Sequence, residues 1–216
     1  MLFLAFSSHA IVVSSGIDSD IYHYMDMPTS STNDLGVSFG GPFFPGGDDH
    51  SQTSLVKFDL NGFSGTADSA TLRLNTARIS STFGSGFSSG NMLVSANTTD
   101  WSINAFGPPS AQTPKLANAN PGIAAGALVI TSQNTWYDID VTTIVNSWLA
   151  GSANYGFVLQ APNPGLNTVF NSFEVAGYGP QLVIEGEALS VVPEPSTYGL
   201  IIGLFASIYL IVKRKK

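Results

Sequence analysis

The side chains able to do chemistry in this 216-residue chain are fifteen carboxylates, three histidines, many hydroxyls and a supply of aromatic rings, with no cysteine. Without cysteine there is no disulfide framework, zinc-thiolate site or thiol nucleophile. The string GFSSG (Gly86–Gly90) spells G-x-S-x-G. A nucleophile elbow needs a strand before its serine and a helix after it, whereas this string sits in the glycine-serine run FGSGFSSGN and reads as a loop. Asp18 and Asp20, and Asp48 and Asp49 in GGDDHSQ, are hard oxygen donors placed before strands, of the kind Ca2+ gathers in sets of about six to eight. No EF-hand or HExxH spacing accompanies them, so a structural Ca2+ site and solvated turn carboxylates both stay open. No cofactor is required.

A glycosidase would need two carboxylates at a defined separation, one of them a proton donor with a raised pKa. Asp59, Asp138, Asp140 and Glu174 are the candidates, and Asp59 and Asp140 stand where they would cap turns. The expectation is no catalytic residue and no enzyme. Aromatic rings offer a different chemistry, because the apolar faces of sugars stack on them. Tyr22, Tyr24, Phe43 and Phe44 lie in or near loops and are the candidate ligand contacts, with Tyr178 in a similar setting. Trp101, Trp136 and Trp148 sit where core is the default.

The elements that would carry these residues are strands. SLVKFDL alternates Val56, Phe58 and Leu60 with Leu55, Lys57 and Asp59; SATLRLN alternates Ala70, Leu72 and Leu74 with Thr71, Arg73 and Asn75. That period of two predicts half-buried strands. DIYHY, NMLVSA, WYDID, NYGFVLQ, TVFNSF and QLVIE continue the pattern, separated by turn chemistry such as NGFSG, APNPG and GYGP. DVTTIVNSWLAG breaks it: Val141, Ile144/Val145 and Trp148/Leu149 recur at helical spacing, with Asp140 as N-cap and Gly151 past the end. About eight strands and one short helix predict an all-β, jelly-roll-like antiparallel β-sandwich over residues 11–186. No repeat of solenoid or propeller period is present.

Only 11% of the residues are charged, under half the ~25% usual in soluble domains. Net charge is −7, yet four of the eight basic residues are the last four, Lys213, Arg214, Lys215 and Lys216. The first 212 residues hold four basic against fifteen acidic side chains, a net of −11. An acidic body excludes nucleic acid as a partner.

The basic tail (213–216) follows an uncharged run of fifteen residues, Tyr198–Val212. As a helix this run reaches ~22 Å against a ~30 Å hydrocarbon core, and snorkelling lysines close part of the gap. The expectation is a C-terminal transmembrane helix over 198–212 with its basic tail in the cytoplasm. Residues 187–197 form a linker. At the other end MLFLAFSSHA (1–10) has a short apolar stretch and a small-x-small ending, which reads as a signal-peptide remnant with the mature chain beginning near Ile11. A first β-strand is the alternative there.

Two resemblances follow from these strings. VVPEPST with its Pro193-Glu194-Pro195 core, the apolar run and the terminal basic cluster resemble, in order and spacing, the PEP-CTERM sorting signal of Gram-negative bacteria. That resemblance implies export, an exosortase partner in the inner membrane, cleavage near the tripeptide and delivery to the cell surface or exopolysaccharide matrix. The succession SLVKFDL, SATLRL, TTDWS, WYDIDVTTIVNSWLAGSANYGFVLQ, FNSFE and PQLVIEG resembles the DNRLRE-type sandwich domain grouped with carbohydrate-binding module family 96. It departs from that pattern between Ser102 and Gly126, where SINAFGPPSAQTP stands. The resemblance implies a non-catalytic module associated with polysaccharide. Its role is either that of a matrix component or that of a true carbohydrate-binding module with Ca2+ assisting.

Deleting Lys213–Lys216, or replacing Pro193, Glu194 and Pro195 with alanine, is expected to leave an uncleaved precursor in the inner membrane. Mass spectrometry of the C-terminus reads the outcome, and normal release of either mutant would remove the sorting expectation.

Overall fold

The structure is a computed structural model. It describes residues 9–14, 16–22, 27–28, 34–38, 51–77, 87–102, 116–163, 165–186 and 190–191. The strands are β1 (His9–Val13), β2 (Gly16–Tyr22), β3 (Met27–Pro28), β4 (Asp34–Ser38), β5 (Gln52–Phe58), β6 (Phe63–Ser64), β7 (Ser69–Asn75), β8 (Gly90–Asn97), β9 (Pro121–Ile130), β10 (Trp136–Asp140), β11 (Phe157–Gln160), β12 (Asn167–Asn171), β13 (Gln181–Gly186) and β14 (Ser190–Val191). One helix, α1 (Thr142–Leu149), and a single 3-10 turn at Leu116–Asn118 complete the described elements.

Every pairing between these strands is antiparallel. One sheet runs β1-β13-β7-β10; the larger runs β12-β4-β5-β11-β8-β9, with β2 also bonded to β5 and β3 to β2. The two enclose one main core, an all-β sandwich with one helix. Leu72, Leu74, Leu182 and Ile184 from the smaller sheet meet Val56, Phe58, Phe157 and Leu159 from the larger, all buried.

In the four-stranded sheet the period of two holds along β7 and β13 with one exception. Ala70, Leu72 and Leu74 are fully buried while Ser69, Thr71 and Arg73 are half-exposed. In β13, Leu182 and Ile184 point in, and Gln181, Val183 and Glu185 point out. Asn75 departs from the expectation of an outward side chain: it is buried, and its Oδ1 accepts a hydrogen bond of 2.7 Å from Asn171 Nδ2 of β12. That bond satisfies a buried amide oxygen where the two sheets meet.

The larger sheet is different because part of its outer face is also covered. Ile21, Leu55, Trp101, Ala119 and Val158 form a second buried cluster there. Consequently Thr53, Ser54, Leu55 and Val56 of β5 are all buried in succession, as expected of a strand packed on both faces.

Helix α1 lies as expected, with Ile144, Val145 and Trp148 buried and Gly151 just beyond it at φ 102°. Its cap is shifted by one residue. Val141 occupies the cap position and makes no side-chain bond there, while Asp140 Oδ1, one step earlier, accepts from Thr142 N at 2.8 Å and Thr142 Oγ1 at 2.6 Å. The helix is stitched to the start of β7: Asn146 bonds both the N–H and the carbonyl of Ala67, and Thr142 Oγ1 accepts from Ala70 N.

Two of the longer strands lack a sequence signal, and the short β6 falls inside NGFSG, which was expected to be a turn. β9 carries PGIAAGALVI, in which only Ile130 is buried, and its register shifts twice against β8. Bulges interrupt alternation, so no period of two was there to be read. β4 is a five-residue strand containing Gly36. At the ends, β1 begins at His9 and so runs across the expected boundary at Ile11, and β14 lies within the expected linker, paired with β6. Residues 1–8 and 192–216, with the expected transmembrane helix at 198–212, lie outside the described residues. Among the described residues no helix is long and apolar enough to cross a membrane.

Gly156 joins the α1 segment to β11 at φ 78°, where a Cβ would stand 2.3 Å from the Val56 carbonyl oxygen. Gly156→Ala is expected to cost about 3 kcal/mol, combining left-handed strain with that clash, and to lower Tm by roughly 6–12 °C. An unchanged thermal melt would contradict this account of the β5–β11 approach.

Candidate functional site

Residues opposite one another in an antiparallel pair share a face, so the register of the four-stranded sheet fixes what it shows to solvent. Arg73 of β7 stands opposite Asp138 of β10 and Gln181 of β13; Thr71 stands opposite Asp140 and Val183; Ser69 stands opposite Glu185. Trp136 stands opposite Asn75, diagonal to Arg73. Val12 of β1, 54% exposed, stands opposite Val183.

The centre of this face is an ordered trio. Arg73 Nε donates to Asp138 Oδ1 at 2.9 Å, and the guanidinium carbon lies 5.2 Å from the centroid of the Trp136 ring. An exposed cation–π contact contributes about 0.5–1 kcal/mol, and a surface ion pair about 0–1 kcal/mol. Neither stabilises the fold much, but together they hold a half-buried indole in one orientation. Beside it, Ser69 Oγ donates to Glu185 Oε2 at 3.0 Å. Hydrogen bonds from the Thr142 hydroxyl and amide hold the Asp140 carboxyl below its ordinary 3.8, so it is an anion at neutral pH.

Chemically, the face offers an indole, a guanidinium fork, carboxylate acceptors, an amide and an exposed valine on a flat scaffold. Those are the groups that recognise hydroxyl pairs and C–H faces.

The tryptophans divide. Trp101 (4% exposed) and Trp148 (8%) are core as expected; Trp101 Nε1 donates to the Tyr155 carbonyl, and Trp148 packs edge-on against Phe157. Trp136 was expected in the core and is not. In WYDID it shares parity with Asp138 and Asp140, while Tyr137 and Ile139 turn inward. That parity with two aspartates was the available signal.

The remaining candidates scatter. Asp18 and Asp20 lie within β2 rather than in a turn before it, and Asp18 Oδ2 accepts from Phe173 N at 2.7 Å, pinning the loop before β13. No cluster of three or more metal-ligating side chains occurs among the described residues. Asp59 Oδ1 accepts from Asn61 N, the expected turn bond. Ser88, of the G-x-S-x-G string, pairs with Asn167, bonds the Gly165 carbonyl and leads into strand β8 rather than a helix. Tyr22 ends β2 opposite Gln52, and Tyr178, 54% exposed, precedes β13. Tyr24, Phe43, Phe44, Asp48, Asp49, Pro193, Glu194, Pro195, Lys213, Arg214, Lys215 and Lys216 lie outside the described residues.

An antiparallel sandwich with an ordered aromatic and polar side chains on an open sheet face is an architecture suited to binding carbohydrate. The family model of carbohydrate-binding module family 96 matches residues 31–186, nearly three quarters of the chain. The chain belongs to that family. No curated protein matches it.

The Asp140 anion accepts both Thr142 bonds at the start of α1, so its contribution is present above pH ~4 and is lost as pH falls through its depressed folded value. Asp140→Ala is expected to be less stable than the wild type at pH 7 and 5, with the gap narrowing at pH 3. Urea unfolding at the three pH values checks this, and a gap that stays constant to pH 3 would refute the role of the charge.

Proposed function

We propose that the chain is an exported, non-enzymatic surface or extracellular-matrix protein whose jelly-roll-like sandwich binds polysaccharide. It would be sorted by an exosortase through Pro193-Glu194-Pro195, the apolar run and the basic tail, in a Gram-negative envelope. Family membership supplies the carbohydrate-binding role in general terms. The observation that carries recognition by this chain is Trp136, held half-exposed on the outer sheet face beneath Arg73. The guanidinium steadies the ring from one side, and the rest of its partly exposed surface supports contact with the C–H face of a sugar. Such a face favours specific glycan recognition over a purely structural matrix role.

The non-enzymatic part of the proposal is supported by the carboxylates. Asp59 and Asp140 are engaged with turn amides, and the Asp140 carboxyl is moved in the direction opposite to that of a general acid. Calcium assistance through Asp18, Asp20, Asp48 and Asp49 stays a proposal. The bond from Phe173 N to Asp18 Oδ2 gives Asp18 a structural task of its own.

A glycan array probed with the purified chain, once with Ca2+ and once with EDTA, is expected to show binding to at least one polysaccharide class. Binding lost in EDTA would assign Ca2+ a part in it. No binding in either condition would overturn specific recognition and leave the matrix role.

A further inference from the structure

We infer that two copies of this chain join edge to edge, β9 pairing antiparallel with β9 of a second copy about a two-fold axis at Leu128. The larger sheet then runs on from one molecule into the other. The inference goes beyond the glycan role proposed above and does not depend on it.

The edge itself is the first ground. β9 pairs with β8 along one side, and no described strand pairs with its other side. Such an edge presents a row of backbone N–H and C=O groups, which folds ordinarily guard with charge, proline or a bulge. In β9 the proline is the first residue, Pro121, and the irregular register lies between the partners of Val94 and Asn97. From Gly126 to Ile130 the register against β8 is regular, and the sequence GALVI contains neither charge nor proline. Other edges are better guarded or shorter. β10 carries Asp138 and Asp140. Bridges from Thr76 and Ser88 meet the outer side of β12, and β1 is half as long as β9.

Side chains beside that edge are the second ground. β8 and β9 together contain no charged residue. Ala127 stands opposite Leu93, and Val129 stands opposite Asn91. Val129 is 62% exposed and Leu93 38%. With the axis at Leu128, Ala127 of one copy stands opposite Val129 of the other. Leu93, Ala127 and the second copy's Val129 then form one apolar row across the seam, and the two-fold axis repeats that row.

Charge selects a second copy as the occupant and fixes where it sits. The first 212 residues carry −11, so two copies repel wherever their carboxylates face one another. They approach at least cost along this uncharged margin. An antiparallel pair about a two-fold axis is self-complementary, and it closes at two members because each copy has used its free edge. Five paired residues make an interface below the about 1,000 Å2 of a durable one, so the dimer forms and dissociates with concentration. Joined to the glycan proposal, it would give one particle two contact faces and hence avidity on a polymer.

The test uses the full chain in density-matched detergent, its mass read by sedimentation equilibrium against a monomer of 22.7 kDa. Expected for the wild type is a species of twice that mass, whose share grows with protein concentration and with NaCl, since salt screens the repulsion. Val129→Glu sets two like charges diagonally across the seam and is expected to weaken the dimer at least about tenfold; circular dichroism establishes that the variant is folded. A second measurement does not depend on that variant. The chain has no cysteine, so Ala127→Cys and Val129→Cys chains, mixed and mildly oxidised, report the register. Opposite Cα atoms in an antiparallel pair lie about 4.5–5.5 Å apart, within disulfide reach, whereas like chains place their cysteines diagonally. The mixed disulfide is expected to form at least about fivefold faster than either disulfide between like chains. A chain that stays monomeric at every concentration would overturn the inference. So would a dimer indifferent to Val129→Glu, oxidation without preference for the mixed pair, or assemblies that grow beyond two copies. A failed glycan array leaves all of these readouts unchanged.

Discussion

The register of β7 against its two neighbours decides what the smaller sheet shows to solvent. A one-residue slip would turn Leu72 and Leu74 outward and bury Arg73 and Thr71. Three devices prevent it. Full burial of Ala70, Leu72 and Leu74 makes the apolar face the only tolerable inner one. Asn146 clamps Ala67 through both of its backbone groups, and Ala70 donates to Thr142 and accepts from Val141 N. The helix is therefore the fastener that fixes β7, and through β7 the placement of Arg73 between Asp138 and Gln181.

The two sheets differ in how much of their outer faces they can lend to a ligand. Trp101 and its neighbours cover the outside of β5 and β11 in the larger sheet, with the indole N–H satisfied by the Tyr155 carbonyl. Farther out, β8 and β9 expose Leu93, Ile123 and Val129. That region is largely apolar, with the exposed amide of Asn91 opposite Val129, and β9 carries no charged side chain. Hydrophobic surface without converging polar groups cannot fix the orientation of a hydroxylated ligand. Sheet β1-β13-β7-β10 combines an ordered ring with donors and acceptors, which supports the proposal that recognition takes place there.

Legibility in the sequence followed from how each strand is buried. β7, β10 and β13 have one wet face, and their alternation placed them within a residue of their bounds. β9 is bulged and mostly exposed, and β4 is short, so neither carried a period. The helix was legible because Ile144, Val145 and Trp148 repeat at its own spacing; the position of its cap was not, since Asp140 reaches Thr142 from one residue farther back. Trp136 was the costly misreading. Residue type alone said core, while its parity with Asp138 and Asp140 said surface, and parity is the stronger signal on a sheet whose other face is the core. Asp18 shows the reverse limit: nothing local reveals that its carboxylate meets the amide of Phe173, a contact that exists only once β2 and the loop before β13 are brought together.

Charge separation links the domain to its proposed route. β14 ends at Val191, held to β6, and six residues remain before the uncharged run begins at Tyr198. Fully extended, six residues reach only about 20 Å. In the proposed membrane-held precursor the folded domain would therefore stand close to the lipid headgroups, at a distance where an acidic body and an anionic surface still feel each other only through about 8–10 Å of screening. Repulsion of that range orients a tethered domain without detaching it. An acidic body would thus turn carboxylate-bearing faces, such as that of Asp138, Asp140 and Glu185, away from an anionic surface.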